Sequence, residues 1–556
     1  MRQIPGVVGW RDHLLGLALA VSYVALLLPT SRDLAMSRDE SFYVVAAERY
    51  GAWFEQAWDD VGAATEQSAI DAAWGYNHEH PSLVKSAFAL SNLIQERFEP
   101  FPTPGMAIRF PGMVSAGLLL WLIYIFGARL FGRSVGAFAA MTMALLPRVF
   151  YHAHLGAFDV PITLMLTLVT YCYWRSLSER RWAIWLGIAF GLALATKHNT
   201  WMMPAVLLVH WLWVAWGEVR ARRLGEGRRL SLVPWWLLAM ALLGPPVFVG
   251  SWPWLWNDTW SRIGEYVGFH MNHEYYNMAY FGVNHFWPPF PVSFPWVMTA
   301  YTVPLVTLAL AACGLYVRAW SLLPPGLEAK WAPPGRPPVD RFRAEVLLVG
   351  CLLAPLVAIS LPSSPIFGGT KHWFPAYPFL ALFAGLGFRR VLRVALRVVR
   401  KRVPVPRAAM RAAVAAILLL PNVAQTVHAH PFGLSYYGFV AGGVPGAADD
   451  GMNRQFWGFT QGSLAGWLRE RMPQGGTVWI CDATFQAWEM MQRDGMIPEN
   501  IRATPNMATA DYVIVHHEHH FDEVDFQAWV AFGSVAPVHV LTYDGVPIIS
   551  VYSRDR

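Results

Sequence analysis

Charged residues are scarce in this sequence. Asp, Glu, Lys and Arg make up 14% of the 556 residues, and 55% of the residues are hydrophobic. A soluble chain carries about 25% charged residues, so we expect most of this chain to face lipid. The composition argues against a soluble helical enzyme. The net charge of +6 comes mostly from arginine and does not indicate a nucleic-acid partner.

Cysteine is also rare. Of the four cysteines, three lie in apolar runs (Cys172, Cys313, Cys351) and Cys481 stands alone in the C-terminal region, so we expect no disulfide framework. The first apolar stretch, 13–29, lacks the small-residue cleavage pattern of a secretory signal, and many further apolar runs follow it. We therefore expect it to be a retained first helix.

Long apolar runs dominate the sequence. A helix needs about 20 residues to cross the hydrocarbon core of a bilayer, and about eleven windows approach that length. They lie near 12–30, 108–131, 134–150, 158–175, 182–197, 199–217, 232–251, 296–318, 345–361, 373–390 and 409–427. The sequence therefore predicts a polytopic α-helical membrane protein with about eleven transmembrane helices.

The distribution of Lys and Arg predicts the orientation of these helices. With the N-terminus in the cytoplasm, 26 Lys and Arg residues fall in the cytoplasmic connections and nine in the outer ones. We expect an integral protein of the plasma membrane, the inner membrane in a bacterium, with its C-terminal segment outside, in the periplasm. A segment rich in Pro and Gly, 322–338, is predicted to be a cytoplasmic linker.

Two outer segments are long enough to form structure of their own. The first loop, 31–107, contains apolar residues at helical spacing over 42–57, which predicts an amphipathic helix on the membrane surface with Arg49 and Glu55 toward water. A second such helix is predicted over 81–98. In the C-terminal segment, the sequence predicts two helices, at 461–472 and 484–494. It also predicts four short strands, at 477–483, 510–517, 538–543 and 548–553. We expect a transmembrane catalytic domain over 1–430 and a small external α/β domain over 431–556.

An acidic pair follows the first span. Asp39 and Glu40, in SRDESFY, stand at the start of the first amphipathic helix. A carboxylate held at the membrane boundary could accept a proton from a hydroxyl as a general base. We expect Glu40 to bind substrate beside it. Alternatively, Ser37 or Asp39 caps the helix and Glu40 interacts favourably with its dipole.

Two further clusters contain histidine. In NHEHPSLVK, His78, Glu79, His80 and Lys85 could bind substrate, phosphate or a metal, or could only make polar loop contacts. In the short connection FYHAHLGAFDVP, we find His152, His154 and Asp159 at the mouth of the fourth predicted span. A surface loop is the alternative there. A third run, HHEHH at 516–520, follows a predicted strand, and its alternate side chains should face opposite ways.

Cationic residues also stand at outer helix ends, against the general orientation bias. They are Arg109, Lys197, His198, Lys371 and His372. A phosphate group in the site would attract them. The alternative is that the long side chains snorkel to the lipid head groups.

The order of these motifs resembles that of membrane GT-C glycosyltransferases. The branch it looks most like includes the dolichyl-phosphate-mannose protein mannosyltransferases and the bacterial transferase that adds aminoarabinose to lipid A. The resemblance covers most of residues 31–430. It is carried by the acidic pair, HEHPSL, the run from RFPGMVSAGLLLWLIYIFGARLFG through ALLPRVFYHAHLGAFDVP, ATKHN and HWFPAYPFLALFAG. The tail start, HPFGLSYYGFVAGG followed by FWG, is also similar to prokaryotic members.

The resemblance implies an inverting transfer of a sugar from a polyprenyl-phosphate donor to an acceptor hydroxyl on a protein, lipid A or a cell-surface glycan. It implies that Asp39 is the catalytic base and that Asp159 is the second acidic position. His80 stands where many members have the first of two prolines, after Glu79 instead of a basic residue, so the phosphate contact of that segment is not carried over.

The leaving phosphate would be stabilised by Lys197, Lys371 or a divalent metal. The candidate metal ligands are Asp39, Asp159, His80 and His154. A polytopic transporter or flippase of lipid-linked sugars is the competing class, although its charges would be expected near the bilayer midplane and its sequence would often repeat.

Overall fold

The computed structural model describes residues 7–223, 230–323, 331, 340, 342–399 and 406–554. Helices in it coincide with each of the eleven predicted apolar windows. The third and eighth windows each form two shorter helices, which are separated beside Pro147 and Pro304. The bundle helices are Trp10–Thr30, Pro104–Phe131, Arg133–Ala144, Pro147–His152, Asp159–Ser176, Arg181–Leu194, Met203–Arg223, Trp235–Gly250, Phe294–Thr302, Leu305–Arg318, Ala344–Ser360, Tyr377–Val399 and Arg407–Ala429.

In the part of the chain that the structure describes, five helical segments are long and apolar enough to cross a membrane. They are Trp10–Asp33, Pro104–Phe131, His198–Arg220, Leu305–Leu322 and Arg407–Ala429, and three shorter apolar helices accompany them. The first helix buries Ala20, Tyr23 and Leu27 against the protein and exposes Leu17 and Val21, as a helix at the edge of a bundle in lipid does. These features confirm the polytopic helical membrane class. The predicted linker 322–338 lies largely outside the described residues.

Two bundle helices approach each other through glycine. Helix Leu305–Arg318 lies against helix Tyr377–Val399, and an added Cβ at Gly314 would overlap the carbonyl oxygen of Phe383. An added Cβ at Gly387 would overlap the carbonyl oxygen of Leu310. The absence of side chains at these two positions lets the backbones pack closely, as small residues commonly do between membrane helices.

The first loop folds into helices at the end of the bundle that carries the candidate site. Both predicted amphipathic helices are present, as Arg38–Asp59, here called the Asp39 helix, and Leu83–Phe98, with the short helices Val61–Ala64 and Gln67–Trp74 between them. Arg49 and Glu55 are exposed, as predicted. The prediction that the apolar face lies on the membrane is wrong for its central residues. Tyr50 and Trp53 pack on Trp74, with ring centroids 3.8 and 5.1 Å apart, inside the protein core.

The next long connection lies between the helices Trp235–Gly250 and Phe294–Thr302. It contains the helix Thr259–Met271 and a small antiparallel pair of strands, β1 (Met278–Tyr280) and β2 (Val283–His285).

The C-terminal segment contains a five-stranded sheet. Its strands are β3 (Gly476–Ile480), β4 (Ile501–Ala503), β5 (Tyr512–His516), β6 (His539–Tyr543) and β7 (Val546–Ser553), in the order β4-β3-β5-β7-β6. The first three are parallel, and β7 pairs antiparallel with β5 and β6. Four strands coincide with predicted ones, while β4 and the helix Asp522–Phe532 were not predicted. The helices Gly443–Asp449, Ala465–Arg471 and Phe485–Arg493 complete the segment.

The C-terminal segment packs on the Asp39 helix. Arg493 pairs with Glu48 at 2.8 Å, and Thr484 Oγ1 donates to Ser41 Oγ at 2.7 Å. Asp494 accepts the backbone N–H of Gly105 at 2.8 Å, which adds a contact to the bundle. The segment therefore contacts both the first loop and the helix that begins at Pro104.

We expect Gly387→Ala to lower the free energy of unfolding by about 1–3 kcal/mol, because the new methyl group forces two backbones apart. Thermal unfolding of the purified protein in detergent measures this. Gly264, in the helix Thr259–Met271, has no neighbouring atom within 4 Å of an added Cβ. Gly264→Ala is the matched control and should be neutral or slightly stabilising. Equal effects of the two substitutions would contradict the packing argument.

Candidate functional site

Asp39 lies at the start of its helix with its carboxylate directed to other parts of the chain. Ser37 is the N-cap, and Glu40 accepts the Ser37 backbone N–H at 2.9 Å to close a capping box. Ser37 and Glu40 therefore make the cap, and Asp39 is not needed for it. The Asp39 Oδ2 accepts a hydrogen bond from Lys371 Nζ at 3.0 Å. Arg38 Nε is 3.6 Å from the other carboxylate oxygen.

Asp159 forms a second ion pair of the same kind. It is the first residue of helix Asp159–Ser176, and its Oδ1 accepts a hydrogen bond from Lys197 Nζ at 2.9 Å. The Nδ1 atom of His152 lies 3.3 Å from Oδ2. Both side chains of the Asp159–Lys197 pair are at most 10% exposed. A buried charge requires a partner of opposite charge, and Asp159 and Lys197 supply one to each other.

The two pairs act on each other electrostatically. Burial pushes the pKa of Asp39 up, but the charges of Lys371 and Arg38 outweigh burial and leave this pKa below its ordinary value, while Asp159 opposes them. Burial lowers the pKa of Lys371, and Asp39 and Asp159 only partly offset this effect. Asp39 is thus ionised and able to accept a proton, and the site contains two lysines beside two carboxylates.

Aromatic and imidazole rings surround the two pairs. His80 lies between Tyr43 and Phe158, at centroid distances of 5.8 and 5.3 Å. Burial holds the pKa of His80 well below its ordinary value, with Lys85 and Lys197 adding to the effect. Within the described residues, its Nδ1 has no hydrogen-bond partner. His80 is therefore a neutral ring near the lysines and can contact a bound molecule.

Two other predicted histidines, His198 and His372, directly follow the two lysines of the site, Lys197 and Lys371, in the chain. His198 packs on His270, with centroids 4.0 Å apart. His372 Nε2 is 2.8 Å from the carbonyl oxygen of Phe367. That contact fixes the turn Gly369–Ala376, which carries Lys371.

Glu40 and Arg109 were predicted to bind substrate, and their contacts oppose that prediction. Arg109 Nε and Nη2 donate to the two carboxylate oxygens of Glu40 at 2.8 and 3.0 Å. Arg109 also donates to the carbonyl oxygens of Leu34 and Ala35, and Glu40 accepts the N–H of Gly156. Both side chains are fully occupied and buried, so they hold the fold together around the site.

Three other predicted residues bind protein groups as well. His154 is 2.8 Å from Thr30 Oγ1 and 2.7 Å from the carbonyl oxygen of Phe150, so both ring nitrogens are engaged. His78 turns toward Glu265, 2.9 Å away, and stacks on Trp254. Lys85 Nζ donates to the carbonyl oxygen of Asn77 at 2.6 Å, and burial lowers its pKa to about 7.

Glu79 lies in the loop that Lys85 stabilises. Its carboxylate accepts a hydrogen bond from the Asn77 side-chain amide, and its backbone oxygen is 2.9 Å from His270 Nε2. Neither Glu79 nor Lys85 reaches the two ion pairs through a contact that the described residues make. Their contacts explain the shape of the 75–81 loop and give no evidence for a phosphate contact.

The candidate metal ligands do not form a metal site. No three His, Cys, Asp or Glu side chains converge on a cation position in the parts of the chain that the structure describes. Asp39 and Asp159 are each bonded to a lysine, and His154 has no ring nitrogen left for a metal. The donor set therefore does not fit a divalent cation.

Arg38, Asp482 and Glu518 were not predicted to be site residues, although Glu518 lies in the HHEHH run at 516–520. Arg38 Nη1 donates to Asp482 Oδ1, and Glu518 is buried close to both groups. Asp482 follows β3 and Glu518 follows β5. The carboxyl ends of neighbouring parallel strands meet at one edge of a sheet. The positions of Asp482 and Glu518 at the ends of two predicted strands would therefore have placed them together, if the pairing of those strands had been known.

Arg148 was not predicted to be a site residue. It is buried without a carboxylate partner among the described residues, between the rings of Tyr437 and Phe456. An added Cβ at Gly369 would lie 3.1 Å from its Nη1. Arg148 therefore packs against the start of the turn Gly369–Ala376, which carries Lys371.

The HHEHH run does not converge on one point. His516 is buried in β5, His517 Nε2 is 2.8 Å from Ser550 Oγ, and His520 Nδ1 is 3.7 Å from Glu518. His516 is the last residue of β5, whereas His519 and His520 lie in the short 3-10 helix His519–Phe521, so these side chains point to different neighbours.

Comparisons with known proteins bear on the family. Residues 93–249 match the family described as dolichyl-phosphate-mannose-protein mannosyltransferase. This match confirms the predicted resemblance over that segment, which includes Asp159 and Lys197. Comparison of the whole chain with curated proteins gives no match.

Two solved structures align with this chain over most of its length. ArnT from Cupriavidus metallidurans bound to undecaprenyl phosphate is 15% identical, with a TM-score of 0.47 and coverage of 98% of both chains. The archaeal oligosaccharyltransferase AglB from Archaeoglobus fulgidus, in complex with an inhibitory peptide and a dolichol-phosphate, is 10% identical. Its TM-score is 0.49, over 95% of this chain and 72% of that chain. These values are too low to transfer any residue role.

We expect Glu40→Gln to reduce the free energy of unfolding by about 3–5 kcal/mol, because it leaves the Arg109 charge buried without its counter-charge. Thermal unfolding in detergent measures the loss. The control is Glu48→Gln, which breaks the half-exposed pair with Arg493 on the same helix and should cost about 0–1 kcal/mol. A Glu40→Gln protein as stable as the control would contradict the structural role of the pair.

Proposed function

We propose that this protein is a GT-C type membrane glycosyltransferase, which moves a sugar from a polyprenyl-phosphate donor to an acceptor hydroxyl with inversion at the anomeric carbon. In this proposal Asp39 is the general base, and Lys371 and Lys197 receive the departing phosphate. The reaction takes place at the outer face of the membrane, in a bacterium the periplasmic face of the inner membrane.

The observation that carries the proposal is the meeting of two Asp–Lys pairs from four distant segments. Lys371 is 332 residues from Asp39 in sequence, and Lys197 is 38 residues from Asp159. Stability alone does not require such an arrangement, since apolar residues in place of a buried ion pair are often as stable or more stable. Asp39 and Lys371 both have shifted pKa values, as ionisable groups in catalytic centres often do.

The chemistry of the transfer needs one group that accepts a proton and one that accepts negative charge. The acceptor oxygen attacks the anomeric carbon, and its proton passes to the Asp39 carboxylate as the new bond forms. The bond between the anomeric carbon and the phosphate oxygen breaks, and its electron pair leaves with the phosphate. The lysines stabilise that charge where it develops.

Lys371 has a further part in this proposal, as a residue that changes partner. While it is bonded to Asp39, it lowers the pKa of that carboxylate and makes Asp39 a weaker base. When a donor phosphate is present, Lys371 can bond to it instead, because charge-assisted bonds to phosphate are strong. Asp39 then regains basicity at the moment when the acceptor must lose a proton.

The position of the site fits a donor with a lipid tail. Asp39 and Asp159 lie at helix starts, at the end of bundle helices that expose apolar side chains such as Leu17 and Val21. A polyprenyl chain can remain in the bilayer while its phosphate and sugar reach the polar end of the bundle. Both protein and lipid or glycan hydroxyls can supply the acceptor oxygen, and the donor sugar can be a hexose or a pentose.

We expect Asp39→Asn to reduce the transfer rate by about 10²- to 10⁴-fold, the usual effect of losing a general base, with donor binding nearly unchanged. The assay uses purified protein with a panel of radiolabelled undecaprenyl-phosphate sugars and a membrane extract as the acceptor source. Asp60→Asn is the control, because Asp60 is an exposed helix cap in the same loop and Asn caps equally well. Wild-type rates in the Asp39 variant would remove Asp39 from the base role, and no transfer by the wild type with any donor would overturn the proposed function.

We expect Lys371→Met to lower kcat by roughly 10²- to 10³-fold, because one stabilising group for the leaving phosphate is lost. The same substitution should move the acid limb of the pH–kcat/KM profile, which reports the free enzyme, to higher pH, since Lys371 no longer lowers the Asp39 pKa. Binding of undecaprenyl phosphate should weaken in parallel.

The matched control for this prediction is Arg262→Gln. It removes another cation at the same end of the bundle, one that pairs with Asp71 at 2.7 Å outside the site. A similar loss of rate in both variants would show a general charge effect and would contradict a specific role for Lys371.

A further inference from the structure

We infer that the C-terminal segment supplies a positioning residue, Asp482, which draws the Arg38 guanidinium away from the Asp39 carboxylate and so keeps Asp39 available as the base. The inference rests on the proposed function, because it assigns Asp482 an effect on the base of that reaction. It makes the C-terminal segment a part of the catalytic unit.

The contacts of Arg38 are unequal. Its Nη1 donates directly to Asp482 Oδ1, whereas its Nε lies 3.6 Å from Asp39 Oδ1, beyond hydrogen-bond distance. Asp482 is the more buried of the two carboxylates, with 3% of its side chain exposed against 20% for Asp39. The guanidinium is thus engaged by the distant Asp482, although its sequence neighbour is the intended base.

Other contacts hold the C-terminal segment against the start of the Asp39 helix, so that Asp482 stays beside Arg38. The backbone N–H of Arg38 donates to the carbonyl oxygen of Trp457 at 3.0 Å, and the Trp457 ring lies 4.8 Å from Lys371 Nζ. Thr484, two residues after Asp482, caps the following helix and donates to Ser41 on the Asp39 helix. One short stretch, 482–484, therefore contacts the first turn of the Asp39 helix twice.

The physical consequence follows from competition for one cation. If Asp482 loses its charge, Asp39 is the nearest ionised partner that remains for Arg38, and the guanidinium can close on it. A hydrogen-bonded guanidinium lowers the pKa of a carboxylate and occupies its lone pairs, so Asp39 becomes a poorer proton acceptor. Asp482 thus acts on the reaction through Arg38.

The groups around Asp482 make this competition sensitive to pH. Burial raises the pKa of Asp482 to about 6; Arg38 opposes burial, and Asp39 adds to it. Glu518, which faces Asp482 from the segment after β5, has its pKa raised well above the ordinary value by burial and by the charge of Asp482. His520 lies 3.7 Å from Glu518. Below about pH 6 Asp482 takes up a proton and releases its hold on Arg38.

The test compares the pH–kcat profiles of the wild type, Asp482→Asn and Asp482→Glu in the undecaprenyl-phosphate sugar assay. Wild-type activity should fall as the pH drops through about 6. We expect Asp482→Asn to lack this limb and to show a kcat at pH 7.5 about tenfold lower, the factor of one pKa unit, with an unchanged KM for the donor. Asp482→Glu keeps the charge and should restore most of the rate and the limb.

The control is Glu48→Gln, which removes a different ion pair between the C-terminal segment and the same helix, with Arg493. It should retain the wild-type profile. A wild-type kcat and limb in Asp482→Asn, or the same loss in Glu48→Gln, would overturn the inference while leaving the proposed function intact. Thermal unfolding identifies any variant that fails to fold. If Asp482→Asn does not fold, Asp482→Glu is the test, and loss of the rate and of the limb in that variant would overturn the inference. Absence of transfer by the wild type would overturn the proposed function, and the inference with it.

Discussion

The buried Glu40–Arg109 ion pair is the interaction on which the arrangement of the site depends. It joins the first turn of the Asp39 helix to the helix that begins at Pro104, and it also fixes the 34–35 backbone and the N–H of Gly156. Because every polar atom of the pair has a partner, the pair tolerates burial. It leaves Asp39, the neighbouring residue, directed to Lys371.

Three parts of the chain meet around Asp39, and each controls its charge in a different way. The bundle contributes Lys371 and the Asp159–Lys197 pair, the first loop contributes Arg38, and the C-terminal segment contributes Asp482. In water such charges would hardly affect one another, but in a site with little solvent their interactions are strong. The charge state of Asp39 is therefore a property of the whole arrangement.

The predicted site residues divide into those that are bonded to other parts of the protein and those that pair with one another. His154, His78 and Lys85 were reasonable candidates by residue type, yet each is engaged by a group that no spacing rule predicts: Thr30, Glu265 and the Asn77 carbonyl oxygen. Asp39, Asp159, Lys197 and Lys371 were also candidates, and the fold pairs them. Asp482 and Arg38 were not candidates, because their importance arises only from contact between segments 444 residues apart.

The sequence by itself determined the apolar helices, the amphipathic helices of the first loop and four of the five C-terminal strands, because these depend on local periodicity and the length of apolar runs. It also determined that charge gathers at helix ends. Only the tertiary structure decided which charge meets which, that the Asp39 helix buries Tyr50 and Trp53 in protein and not in lipid, and that β3 and β5 are neighbours. Those outcomes depend on contacts between residues far apart in the chain, and the hydrophobic pattern of a segment does not specify which distant residues it will contact.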